Sequence, residues 1–177
     1  MSEYCQICVN TNQREVFITM ESGIIQAFYG TGKGKTSAAV GQALRELQHG
    51  QRITMIQFLK GKVADEFQVL DRLEPDVQIF RFDKSDVNYC DLSDSEKEEE
   101  KANILNGFNF SKKVLETGES DVIILDELLG LIDLGILTED DVEDLLRIQG
   151  DYHKLIITGT KLPEQIRAYV DEVSEIL

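Results

Sequence analysis

The feature that most narrows what this chain can become is the run Gly30-Thr31-Gly32-Lys33-Gly34-Lys35-Thr36-Ser37. An apolar stretch, Ile24 to Tyr29, leads into it, and a helical pattern from Ala38 to Leu47 leads out. Strand, glycine-rich loop and helix in that order describe a phosphate-binding loop. Three glycines let the backbone approach an anion closely and take turns closed to other residues. The loop N–H groups and the helix N-terminus aim positive partial charge at phosphate. In this reading Lys35 neutralises phosphate oxygens and the Thr36 hydroxyl takes Mg²⁺. The general pattern G-x-x-x-x-G-K-[ST] wants a glycine where this chain has Tyr29. The first glycine is Gly30, so the loop is one residue short.

The rest of the chain alternates between two periodicities. Strands are expected at Arg52 to Phe58, Val77 to Phe82, Asp121 to Glu127 and Lys154 to Gly159. Phe67, Leu70 and Leu73 suggest a short helix closed by Pro75, and Leu128 to Leu134 a second. Ser93-x-x-Glu96 and Thr138-x-x-Asp141 open two more as capping boxes, the first ended by Gly118. Pro163 suits the first turn of a last helix, and Asp171 to Leu177 a final short strand. Strands alternating with helices predict an α/β domain with a mainly parallel sheet and helices on both faces. The 177 residues suit one such domain, over 24–177, behind an N-terminal extension, 1–23, whose Glu15 to Met20 reads as a strand. Ligands of such sheets sit beyond the carboxyl ends of the strands. The phosphate loop, Gln57 and Lys60, the 83–92 loop, Asp126 with Glu127, and Gly159 all fall there.

Charge and cysteine content remove several classes of function. A net charge of −15 argues against a basic surface for nucleic acid. Much of the acid lies in Asp94 to Glu100 and Glu139 to Asp144, which read as solvated helix faces, so a polyanion must find the local Lys33/Lys35 pocket. No apolar run approaches the roughly 20 residues of a membrane helix, and the start lacks a signal-peptide pattern, so the cytoplasm is expected. Cys5-Gln6-Ile7-Cys8 is a C-x-x-C pair, but Cys90, His49 and His153 are isolated, and reduced thiols are the expected state.

Asp126-Glu127 closes an apolar strand in the manner of a Walker-B end. A carboxylate there binds Mg²⁺ directly or through water, opposite Thr36; the plainer reading is a pair of acids capping the next helix. The short loop, with no evident arginine finger or polarising glutamine, speaks against ordinary hydrolysis. The residues alone leave open a small-molecule kinase or ATPase, or a non-catalytic nucleotide-binding relative. Phosphate or ADP as product, rather than triphosphate, would mark the first.

A wider set of residues carries a resemblance. Gly30 to Ala39, then Arg45, His49-Gly50, Gln57-Phe58-Leu59-Lys60-Gly61, Leu125-Asp126-Glu127-Leu128 and Thr158-Gly159 resemble the P-loop ATP:corrinoid adenosyltransferases of cobalamin biosynthesis and salvage. The match runs from about residue 24 to 176, and the shortened loop is that family's own form. The resemblance implies a P-loop NTPase-like, RecA-type α/β fold. It implies transfer of the 5′-deoxyadenosyl group of ATP to the cobalt of a reduced corrinoid (cob(I)alamin, or cob(I)yrinic acid a,c-diamide), releasing triphosphate. Gly30, Thr31, Gly32, Lys33, Gly34, Lys35, Thr36 and Ser37 would then bind triphosphate, with Lys35 and Glu127 catalytic. Thr36, Glu127 and Asp126 would hold Mg²⁺, Arg45 would contact ATP, and Tyr89 would face the corrinoid. An external flavin-type reductant and a homodimer are implied as well. The family usually has Arg after the Thr-Gly of the fifth strand; here that residue is Thr160, followed by Lys161.

Overall fold

A computed structural model of the chain describes residues 23–59, 65–85, 87 and 89–177. The strand expected at Glu15 to Met20, the Cys5/Cys8 pair and Lys60-Gly61-Lys62 lie outside them. Six parallel strands form one sheet: β1 Ile24–Tyr29, β2 Ile53–Gln57, β3 Val77–Arg81, β4 Val122–Asp126, β5 Lys154–Gly159 and β6 Glu172–Glu175. Their spatial order is β3-β2-β4-β5-β1-β6. The central strands β2, β4 and β5 are buried along their whole length, which explains their near-continuous apolar sequence.

Alternation along each strand divides the core into two layers. Ile123 and Leu125 of β4, with Leu155 and Ile157 of β5, pack under α2 Asp94–Thr117 and α4 Glu139–Leu146, represented by Ile104, Phe108, Val142 and Leu145. Val122 and Ile124, with Met55 and Ile156, pack under α1 Lys35–Glu46 through Ala39, Val40 and Ala43. Helices therefore cover both faces, as the alternating pattern predicts.

Three segments differ from the sequence reading. Asp65–Leu73 winds as a 3₁₀ helix. Its apolar residues Phe67, Leu70 and Leu73 recur every third position, which is the 3₁₀ period rather than the α period. After β4 only the turn α3 Gly130–Asp133 is helical, because Glu127 takes a left-handed backbone (φ 61°) that breaks the chain direction first. The last helix, α5 Glu164–Arg167, is one turn long with Pro163 just before it. The capping boxes stand as read: the Ser93 N–H donates to Glu96 Oε2 at 2.9 Å, and the Asp141 N–H to Thr138 Oγ1 at 3.1 Å.

Candidate functional site

Three buried polar side chains, Gln57, Asp126 and Thr158, gather at the carboxyl ends of the strands. The loop between β1 and α1 turns through left-handed backbone at Gly30 (φ 124°) and Gly34 (φ 108°). A side chain at Gly30 would also lie 2.2 Å from the Ile176 carbonyl oxygen, so the position is closed to larger residues twice over. Ile176 follows β6 and accepts from the Gly32 N–H at 2.9 Å, while its own N–H donates to the Tyr29 carbonyl at 2.7 Å. On the other side the Gly30 N–H reaches the Gly159 and Thr160 carbonyls at 3.2 and 3.1 Å. The loop is thus fixed by backbone from two neighbouring strands. Lys35 Nζ folds over it and donates to the Gly30 and Gly32 carbonyls at 2.9 and 3.0 Å. Thr31, Lys33, Gly34 and Ser37 are exposed.

In the first turn of α1, Thr36 meets the end of β4. Its hydroxyl lies 2.9 and 3.2 Å from the two carboxylate oxygens of Asp126, which is wholly buried. Thr158 Oγ1 donates to Asp126 Oδ1 at 2.8 Å and Gln57 Nε2 to Oδ2 at 3.2 Å. Gln57 is turned for this by Arg81, whose Nε donates to Gln57 Oε1 at 2.7 Å. Strand register explains the cluster: Gln57 is the lateral neighbour of both Asp126 and Arg81. A buried carboxylate costs much free energy unless donors surround it, and two strands and a helix supply them here.

Glu127, one residue on, stands differently. Its N–H donates to Thr158 Oγ1 at 2.8 Å, and its carbonyl accepts from the Gly130 N–H at 3.1 Å. The side chain is half-buried, with its Oε2 beside Gly130. A left-handed backbone costs a non-glycine residue about 1–2 kcal/mol, so these contacts offset real strain.

The sequence-predicted residues divide into two groups. The structure brings together the loop, Lys35, Thr36 and Asp126, with Glu127 next in the chain. Arg45 lies in the last turn of α1, about 15 Å along the axis from Lys35, exposed and directed at Gln42 Oε1. Tyr89 is half-buried in the 3₁₀ turn Tyr89–Asp91 after β3. Burial, then the charges of Glu98, Cys90 and Glu100, push its hydroxyl pKa up. Glu100, itself buried, accepts from the Lys84 N–H at 3.0 Å and so anchors the strand-end loop beside it. Sequence reasoning did not single out Arg81, and gave Thr158 and Gln57 no role. The signal was present: each is a polar residue at or one short of the carboxyl end of a strand.

The donor set fits a hard divalent cation. One hydroxyl and two neighbouring carboxylates offer oxygen only, which suits Mg²⁺. Among the described residues no group of three His, Cys, Asp or Glu could hold a metal ion. Two carboxylates, completed by water and substrate phosphate, is the usual protein share of a Mg²⁺ site.

The sequence profile of the ATP:corrinoid adenosyltransferases BtuR/CobO/CobP matches residues 21–177. The chain belongs to this family. The corrinoid adenosyltransferase of Escherichia coli K12 is 31% identical over 156 residues, covering 88% of this chain and 77% of that protein. The Salmonella typhimurium corrinoid adenosyltransferase CobA gives the same figures. That of Pseudomonas aeruginosa is 24% identical, covering 88% and 75%. Among solved structures, the flagellar accessory protein FlaH of Methanocaldococcus jannaschii superposes with a TM-score of 0.48 at 16% identity, over 87% of this chain and 71% of that one. Corrinoid adenosyltransferases, as their name states, act on ATP and a corrinoid. No helix among the described residues is long and apolar enough to cross a membrane.

Proposed function

We propose that this adenosyltransferase-family chain moves the 5′-deoxyadenosyl group of ATP to the cobalt of a reduced corrinoid and releases triphosphate. The observation that supports this best is a short phosphate loop, with Lys35 folded over it, in a chain of this family. The reacting atoms belong to the substrates. Cobalt(I) supplies an electron pair to C5′ of ATP, the C5′–O bond breaks, and triphosphate leaves with that bond's electrons. Cobalt ends formally as cobalt(III) bearing the new carbon. No side chain is needed as nucleophile; the protein's task is to stabilise a leaving group carrying about four negative charges.

Lys35 is placed for that task. Its amine moves from the Gly30 and Gly32 carbonyls to phosphate oxygens lying in the same loop. Gly34 opens α1 with its left-handed turn, and the amides of the helix start would face the same anion. Thr36, Asp126 and Glu127 would hold Mg²⁺, which when bound supplies further neutralisation of phosphate charge. Asp126 keeps the Thr36 hydroxyl in place through their 2.9 Å bond. Arg45 is assigned to ATP and Tyr89 to the corrinoid, with an external flavin-type reductant supplying the electron that reduces the corrinoid's cobalt(II) to cobalt(I), and with the chain as a homodimer.

The test is incubation with ATP, Mg²⁺ and chemically reduced cobalamin while following the cobalt absorption spectrum. Triphosphate should form one-to-one with a light-sensitive cobalt–carbon bond. ADP with orthophosphate, and no cobalt alkyl, would make the chain a kinase or ATPase instead.

A further inference from the structure

Asp126 and Glu127 are adjacent carboxylates with different surroundings, and one side chain touches both residues. Thr158, wholly buried near the end of β5, uses a single hydroxyl in two directions. It donates to Asp126 Oδ1 at 2.8 Å and accepts the Glu127 N–H at 2.8 Å. Its carbonyl also accepts the Leu129 N–H at 3.1 Å, so the turn after β4 is held to β5 at both ends. The Glu127 amide is the one that must be gripped, because Glu127 carries the left-handed backbone. That reversal lays Glu127 Oε2 beside Gly130, where a Cβ would stand only 3.3 Å from it. Only a group that both donates and accepts can make these two bonds at once. Valine has the shape of threonine without either bond, and serine has both bonds without the methyl.

We propose that Thr158 is a positioning residue, whose hydroxyl fixes the reversed backbone at Glu127 and thereby sets the second carboxylate of the metal site. The inference rests on the reading of Glu127 as a Mg²⁺ ligand. Outer groups that orient a metal ligand typically govern 10–100-fold in metal affinity.

The experiment uses the full chain with ATP and no corrinoid, so nothing turns over, and Mn²⁺ as a paramagnetic probe in place of Mg²⁺. Free Mn²⁺ is read by electron paramagnetic resonance for wild type, Thr158→Val, Thr158→Ser and Glu127→Gln. ATP binding in excess chelator is measured alongside. Thr158→Val should weaken Mn²⁺ binding at least about tenfold, Thr158→Ser by less than about threefold, and metal-free ATP binding should stay unchanged in both. Thr158→Ala removes the hydroxyl without adding an atom and takes the place of Thr158→Val should that variant fail to fold. Wild-type Mn²⁺ affinity in the hydroxyl-free variant, with a clear loss in Glu127→Gln, overturns the positioning role and leaves the metal role standing. Equal losses in Thr158→Ser and Thr158→Val assign the effect to the methyl group and also overturn it. Unchanged affinity in Glu127→Gln overturns both.

Discussion

At the scale of single residues, the site is a set of side chains whose resting partners foretell their work. Among the described residues, Lys35 Nζ hydrogen-bonds the loop's own carbonyls and no core group. Lys35→Ala should therefore leave the thermal midpoint nearly unchanged while lowering the rate of cobalt alkylation by ~10²–10³, the usual cost of losing one preorganised electrostatic contact. Near-normal turnover in that variant would refute the phosphate loop's part in catalysis. Lys35 and Thr36 were legible in the sequence because glycine spacing marks the loop in one dimension. The parts that Thr158, Gln57 and Arg81 play around Asp126 were not. Their meaning comes from lateral neighbours across the sheet, 24 and 69 positions apart for the two hydrogen bonds of Gln57, and no local pattern records which strands adjoin.

At the scale of elements, caps carry much of the specification. Helix α4 is opened by Thr138, whose hydroxyl accepts the Asp141 N–H while Asp141 Oδ2 accepts the Thr138 N–H at 2.8 Å. Thr138→Ala should lower unfolding free energy by about 1 kcal/mol without changing turnover, read from denaturant midpoints. Hydrogen bonds from the Thr138 hydroxyl, then from its backbone, hold the Asp141 carboxyl below its ordinary pKa. A carboxylate lowered in this way stabilises the fold above its unfolded pKa, about 3.9, and loses that contribution as pH falls through the folded value. The stability gap between wild type and Asp141→Asn should thus be full at neutral pH and shrink steadily below about pH 4. A gap that persisted in acid would show that the charge plays no part. Both capping boxes were readable because they are four-residue motifs. The turn after β4 was not, since its left-handed residue is a glutamate held by a threonine 31 positions away.

At the scale of the whole molecule, a parallel sheet between two helical layers follows from the alternation of apolar strands and capped helices, and that much the sequence contained. The order of the strands it did not contain, nor the docking of β6 on the phosphate loop. A long-range ionic contact ties α1 to the sheet at its opposite end: Lys154 Nζ lies 3.8 Å from Glu46 Oε1, with side chains 7% and 16% exposed. Removing one partner of a buried pair strands the other, so Glu46→Ala should destabilise by about 3 kcal/mol, whereas the double replacement Glu46→Leu with Lys154→Met should be nearly neutral. Denaturant titration of both variants decides this, and equal small losses would mean that water already serves the lysine. The loop, finally, arrives at its ligand already ordered. Its lysine is tethered to two carbonyls, and its backbone is pinned by Gly159, Thr160 and Ile176. Freezing a lysine side chain forfeits up to about 2 kcal/mol of rotamer entropy, and here that loss falls on folding. On the proposed function, triphosphate would meet a preordered cradle in which one set of oxygens replaces another, so loop ordering should contribute little to the entropy of nucleotide capture.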